Sequence, residues 1–305
     1  MKKFTLYILT AFGLMGLATS CNDFGDVNND PMNLNPGVVD YKMEFTQVEA
    51  QICGSDWDVW RNGCIYTANM IQHTASVDWA YGVFYTWNDQ YSGAYWGGFY
   101  SGGRAAIRNI IDVMNNWEGN PAYANEYQMC RILKAYMFQN MTDLYGDVPY
   151  SEAGQGYSTN PIPYPKYDTQ EAIYDDLLKE LDEAQAALST SAGNTIGAAD
   201  VIYGGDAAKW KKFANSLMLR VAMRLTKVAP DKAKTWVAKA VSNGLFVSND
   251  DNAIVRHTNG SPSDDSAEPY GKVFSSLDTQ AFYISETFIN ILQDDPRLPL
   301  IATVC

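Results

Sequence analysis

Four stretches between residues 123 and 243 repeat their apolar side chains every three or four positions, and this periodicity does most to narrow the fold. Tyr127, Cys130, Leu133, Tyr136 and Met137 share one face of 123–144, and Ile173, Leu177, Leu178 and Leu181 one face of 170–189. Trp210, Phe213, Leu217, Val221 and Leu225 do the same in 206–227, as do Ala233, Trp236, Val237 and Ala240 in 231–243. A stripe at the helical period has to be buried against another such stripe, so the four segments are expected to be packed antiparallel helices. Gly146 stops the first, Asp168 and Glu171 read as a capping box opening the second, and Pro230 and Gly244 bracket the fourth. Shorter stripes, Phe45-Val48-Ile52 and Ile107-Ile110-Ile111-Met114, carry the pattern toward the N-terminus. The periodicity predicts a mainly all-α fold, and without a clean repeat length it supports nothing finer.

Residues 145–168 break the pattern with four prolines and three glycines. A connection of that length inside a helical body is expected to be an ordered loop facing a ligand or partner.

The N-terminus reads as an export signal. Lys2 and Lys3 precede an apolar run that ends in small residues at Leu17-Ala18-Thr19-Ser20 and then Cys21. The run is short for a bilayer span and is interrupted by Thr5, Tyr7 and Thr10. The organisation expected is a signal peptide at 1–20, lipidation at Cys21, a tether rich in Asn, Asp and Pro over 21–36, and a single helical domain over 37–305.

The chain carries a formal charge of -13, and loss of Lys2 and Lys3 with the signal takes it to -15. No phosphate-neutralising face is visible, which sets nucleic acid aside as a partner. The cysteines, Cys21, Cys53, Cys64, Cys130 and Cys305, match no zinc-ligand spacing. Cys53 and Cys64 are either a disulfide or buried thiols, and both readings stand at this point.

Chemistry concentrates between Trp79 and Tyr100, where ten aromatic residues fall within 22 positions. Aromatic faces suit the C–H faces of sugar rings, with phenol, indole and amide groups available to the hydroxyls. Phe84, Trp87, Tyr91, Tyr95 and Phe99 have helical spacing and are expected to be largely core. The better ligand candidates lie off that stripe: Trp79, Tyr81 and Trp96, with Asn88, Asp89 and Arg104 as polar companions. No catalytic residues are expected. Asp264, Asp265 and Glu268 occupy a turn-rich segment, and His73 and His257 lack the partners of a metal or nucleophile site. Asp250-Asp251-Asn252 is a conceivable calcium site without EF-hand spacing, so no cofactor is assigned.

The signal with Cys21, RILKAYMFQNMTDLYGDVPYSEA at 131–153, YGGDAAKWKKFANSLMLRVAMR at 203–224 and QDDPR at 293–297 together resemble the SusD/RagB family of outer-membrane lipoproteins, in its shorter branch. The acidic stretch Asn22-Asp23-Phe24-Gly25-Asp26 resembles the surface-export tag of Bacteroidetes lipoproteins. The resemblance implies tetratricopeptide-like helical hairpins forming a scaffold with long irregular loops that display a glycan site. It also implies a lipid-anchored position on the outer membrane facing the cell exterior, and a SusC-like TonB-dependent transporter as partner. Family members are commonly much longer, so the chain is expected to lack a C-terminal part. A peptide or other nutrient on the same scaffold is the alternative ligand, and glycoside cleavage the least favoured reading.

Overall fold

The computed structural model describes residues 40–52, 54–101, 106–157, 160–257, 268–276 and 282–302. The chain divides into two units, residues 1–40 and 41–305. The expectations for the signal, Cys21, the tether, Cys53, Arg104, Asp264, Asp265 and Cys305 lie outside the described residues.

The helices of the second unit are α1 (Tyr41–Gln51), α2 (Asp56–Asp58), a π-helix (Val59–Thr67) and α3 (Ala68–Met70). They are followed by α4 (Asp89–Ser92), α5 (Ala94–Tyr100), α6 (Ala106–Trp117), α7 (Ala124–Tyr145) and α8 (Gln170–Ala187). The series continues with α9 (Ala207–Arg224), α10 (Pro230–Asn243), α11 (Pro269–Ser276), α12 (Glu286–Ile291) and α13 (Leu298–Ile301). Among the described residues there are two short antiparallel strand pairs. β1 (Thr74–Ser76) pairs with β4 (Phe282–Ile284), Thr74 opposite Ile284, and β2 (Val148–Pro149) pairs with β3 (Tyr167–Asp168).

From α6 onward each long helix packs on the next, and α1 packs on α6. Side-chain pairs fix the directions. Arg131 of α7 reaches Glu180 and Glu183 of α8 at 2.7 and 2.6 Å, while Asp143 near the other end of α7 meets Tyr174, so α7 and α8 are antiparallel. Lys232 and Lys239 of α10 meet Asp175 and Asp182 of α8, both 57 residues back, which makes α8 and α10 parallel with α9 running the other way between them. Alternating helices with a shared core form the hairpin stack expected of a tetratricopeptide-like scaffold. The apolar stripes supply that core: Leu133, Phe138, Leu177, Leu181, Trp210, Met218 and Val221 are all buried. α7 is buried on nearly every face because it meets α6, α8 and α9.

Local signals set the helix ends, with one correction. Gly146 closes α7 at φ 75°, Asp206 caps α9 through the amides of Ala208 and Lys209, and Pro230 and Gly244 bracket α10. The cap of α8 is Thr169, whose hydroxyl accepts from the Ala172 amide, and not Asp168. The Asp168 carboxylate accepts instead from the amides of Tyr150 and Ser151 and from the Ser151 hydroxyl, which ties down the 145–168 loop.

The connection from α8 to α9 is held by buried polar groups. Glu126 accepts from the Thr195 and Ile196 amides. Asp200 accepts from the amides of Ile202, Tyr203 and Gly205 and from the Trp210 indole at 2.7 Å. Glu49 accepts from the Val201 amide. Burial, reinforced by neighbouring Asp200, pushes the Glu49 carboxyl up to about 10, so it is protonated at neutral pH. Cys64 and Cys130 are buried free thiols, which resolves the Cys53–Cys64 alternative in favour of a thiol at Cys64.

Candidate functional site

Two aromatic groups meet near the N-terminal end of the stack. The π-helix buries Val59, Trp60, Cys64, Ile65 and Tyr66 against Val273 of α11 to make a small core, with Trp79, Tyr81, Tyr91 and Phe282 packed around it. The second group stands on the main core, where Trp96 of α5 lies edge-on to Tyr145 at 5.4 Å, beside Tyr100 at 4.7 Å and over Tyr167 at 6.0 Å. Tyr145 joins the groups: its hydroxyl donates to the Ser92 carbonyl and accepts from the Trp96 amide. Burial raises the Tyr66, Tyr100 and Tyr145 phenols, so all three stay protonated.

The segment between β1 and α4 is bent sharply over the π-helix. Within it Trp79 and Tyr85 have φ of 53° and 54°, and Gln72, just before β1, has 58°, a region side chains with a Cβ rarely adopt. Contacts from distant parts of the chain hold it there. β4 pairs with β1, Ser285 bonds back to Gln72 and His73, and Phe282 stacks on Trp79. Gly82 donates to the Ile65 carbonyl, and a Cβ at Gly82 would stand 2.4 Å from that oxygen, so only glycine fits.

The candidates read from the sequence divide accordingly. Trp79 and Tyr81 are half-buried around the small core, Trp79 edge-on to Trp60 at 5.3 Å and Tyr81 against Tyr91 at 5.5 Å. Asn88 caps α4 through the Tyr91 amide, and its own amide donates to the Tyr66 hydroxyl at 2.8 Å. Asp89 is exposed and accepts from the Trp87 indole. Trp96 belongs to the second group, packed against the main core.

The helical stripe from Phe84 to Phe99 does not form. Phe84 and Tyr85 lie in a turn and helix begins only at Asp89, so Phe84, Tyr85 and Trp87 are 71 %, 65 % and 73 % exposed while Phe99 is buried. Spacing assigns Phe84 and Trp87 to a buried helical stripe and gives Tyr85 no role, because spacing does not report a turn. The tight turn at Gly82 was the one available signal. Of the remaining expectations, Asp251 gives its carboxylate to Lys212 at 2.8 Å and to the Val247 amide, which leaves it poorly placed as a calcium ligand. Among the described residues no group of three His, Cys, Asp or Glu side chains is arranged to hold a metal ion. His73 packs tilted against Phe288 at 4.6 Å, and Glu268 accepts from the Tyr270 and Gly271 amides at the start of α11. Beside the aromatic groups a cleft of about 350 Å³ opens between the π-helix and α7, lined by Asn62, Gly63, Tyr95, Tyr136, Asn140 and Tyr270. No helix among the described residues is long and apolar enough to cross a membrane.

Known structures share the fold. A chitin-binding protein is 34 % identical, with a TM-score of 0.75 over 86 % of this chain and 54 % of its own. A SusD-like protein of Bacteroidetes AC2a is 31 % identical, with a TM-score of 0.74 over 85 % of this chain and 50 % of its own. A chitin-binding SusD homolog from Flavobacterium johnsoniae is 26 % identical, with a TM-score of 0.68 over 84 % and 53 %. The chain thus spans about half the length of these structures. A comparison with curated proteins gives no match. Residues 39–305 match the SusD-like family described as starch-binding and associating with the outer membrane, and the chain belongs to that family.

Proposed function

We propose that the protein is a lipid-anchored cell-surface lipoprotein that captures an oligosaccharide and passes it to a SusC-like TonB-dependent transporter, without a catalytic step of its own. The observation that carries the glycan reading is the row of Phe84, Tyr85 and Trp87, each about two-thirds exposed on a strained loop clamped by β4. Exposed adjacent rings of this kind are unfavourable in water and are retained where a ligand covers them. Trp79 and Tyr81 back the row from the small core, and Asp89 orients the Trp87 indole. Chitin-type oligosaccharides are the first class to try, because two of the similar structures are described as chitin-binding. Family membership supports binding without catalysis.

Calorimetric titration of the protein with oligosaccharides of chitin, starch, cellulose and pectin tests the reading. Saturable binding to one of them is expected, and binding of peptides with none of the glycans would transfer the scaffold to another nutrient. The organisation proposed is a signal at 1–20, a tether at 21–36 and a single binding domain over 37–305. Fatty-acid labelling that marks the wild type and spares Cys21→Ser is the expected result for the anchor. Co-purification of a TonB-dependent transporter with the membrane-bound protein is the expected result for the partner.

A further inference from the structure

Arg61, in the first turn of the π-helix, differs from the other arginines whose contacts define the fold. Arg108, Arg131, Arg220, Arg224 and Arg297 each hydrogen-bond or ion-pair with an amide or carboxylate side chain. The Arg61 guanidinium lies instead over three rings, 4.9 Å from Trp57, 5.8 Å from Trp60 and 5.9 Å from Tyr91. Ring faces attract its charge but cannot accept its in-plane N–H bonds. Among the described residues no acceptor meets Arg61 Nε or the neighbouring Trp60 Nε1, although both atoms are shut off from solvent. Shielded donors are normally paired, so two orphans on adjacent residues mark a place where an acceptor is wanted. The cluster reaches solvent through Trp57, which is 52 % exposed, and joins Trp79 through the edge of Trp60.

We propose that Arg61 and Trp60 form the polar end of the glycan site and select sugars that carry an acyl oxygen, either the carbonyl of an N-acetyl group or the carboxylate of a uronic acid. The planar fork of a guanidinium matches an acyl group in a way that scattered hydroxyls do not. The exposed Trp57 face takes the apolar side of the same sugar, and a modest shift of Arg61 away from the rings brings its unmet Nε–H onto the acyl oxygen. The inference rests on the glycan-binding reading above and adds the chemical class of ligand to it.

The test titrates the full chain with three oligosaccharides of equal length: a chito-oligosaccharide for acetamide, an oligogalacturonide for carboxylate, and a cello-oligosaccharide carrying neither. The wild type is expected to bind at least one acyl-bearing sugar about tenfold or more tighter than the cello-oligosaccharide. Arg61→Met should bring that sugar down about ten- to a hundredfold, the range for a hydrogen bond to a charged group. Trp60→Phe keeps a ring and removes the indole N–H, so it should lose part of the preference. If Arg61→Met fails to fold by thermal melt, Trp60→Phe and Arg61→Lys decide. A preference for the galacturonide that fades with added salt identifies the carboxylate, and a salt-insensitive preference for the chito-oligosaccharide identifies the acetamide. Equal binding of all three sugars by the wild type, or a preference that survives in every folded variant, overturns the role of Arg61 and Trp60 and leaves glycan binding standing. Binding of none of the three overturns the acyl preference, and if starch oligosaccharides fail to bind as well, glycan binding falls with it.

Discussion

Two tryptophans nine positions apart separate ligand contact from packing. Trp87 is 73 % exposed and makes its one polar contact to Asp89, so Trp87→Ala removes little that the fold uses and should change stability by under about 0.5 kcal/mol. Trp96 stands among Tyr100, Tyr145 and Tyr167 on the main core. Full burial of such a ring would make its loss cost about 3–5 kcal/mol, and half-burial scales this to about 2–3 kcal/mol for Trp96→Ala. The order reverses in binding. A ring that covers a sugar face is worth about 1–3 kcal/mol, so Trp87→Ala should weaken glycan binding about five- to 150-fold. Trp96→Ala should weaken it only as far as the protein unfolds. Urea denaturation of both variants, with titration against the best-bound oligosaccharide below the melting range, measures the four quantities. An affinity for Trp87→Ala within twofold of wild type would refute the exposed-row reading. So would a fully stable Trp96→Ala that has lost its ligand.

Three further perturbations probe how the site is held. Asp200→Ala strips the acceptor from three amides and the Trp210 indole; with part of that loss made good by water, the cost is expected to be about 3–5 kcal/mol in urea denaturation, and a cost below about 1 kcal/mol would contradict the arrangement. Glu49 is raised from 4.5 to about 10 by burial and then by Asp200, so its contribution is complete below pH 4.5 and is lost as the pH climbs toward 10. Glu49→Gln should therefore be more stable than wild type by about 1–3 kcal/mol at pH 8 and gain nothing at pH 4, and an equal offset in melts at both pH values would exclude a protonated Glu49. Gly82→Ala forces a Cβ to within 2.4 Å of the Ile65 carbonyl, so it should dislodge the aromatic loop and lower glycan affinity while the helical circular-dichroism signal persists. Unaltered affinity in that variant would mean that the loop's approach to the π-helix is irrelevant to binding.

The helical stack was legible because its signals are local. A stripe such as Leu177-Leu178-Leu181 must be buried whatever covers it, and Gly146, Asp206 and Pro230 terminate or start helices through their own backbone preferences. Where two local solutions competed, tertiary contacts chose. Asp168 and Thr169 can both cap α8, and Asp168 is drawn off by the amides of Tyr150 and Ser151 across the loop.

The aromatic region was legible as a concentration of rings and not as a site. Spacing placed Phe84 and Trp87 on a buried helix, whereas the turn at Gly82 turns them out, because the loop is bound to a π-helix before it and to β4 some two hundred residues after it. Trp57 and Trp60 precede Arg61 within a turn of the chain, but neither the approach of Tyr91 nor the absence of an acceptor for its Nε among the described residues can be read from that stretch. Local sequence suffices for the four long helices, for most of their ends and for the wealth of aromatic side chains, since each depends on neighbours within about a turn of the chain. Which of those side chains face water, and which donors are left without partners, was decided only by tertiary structure, because exposure and hydrogen bonding depend on segments that the chain order keeps far apart.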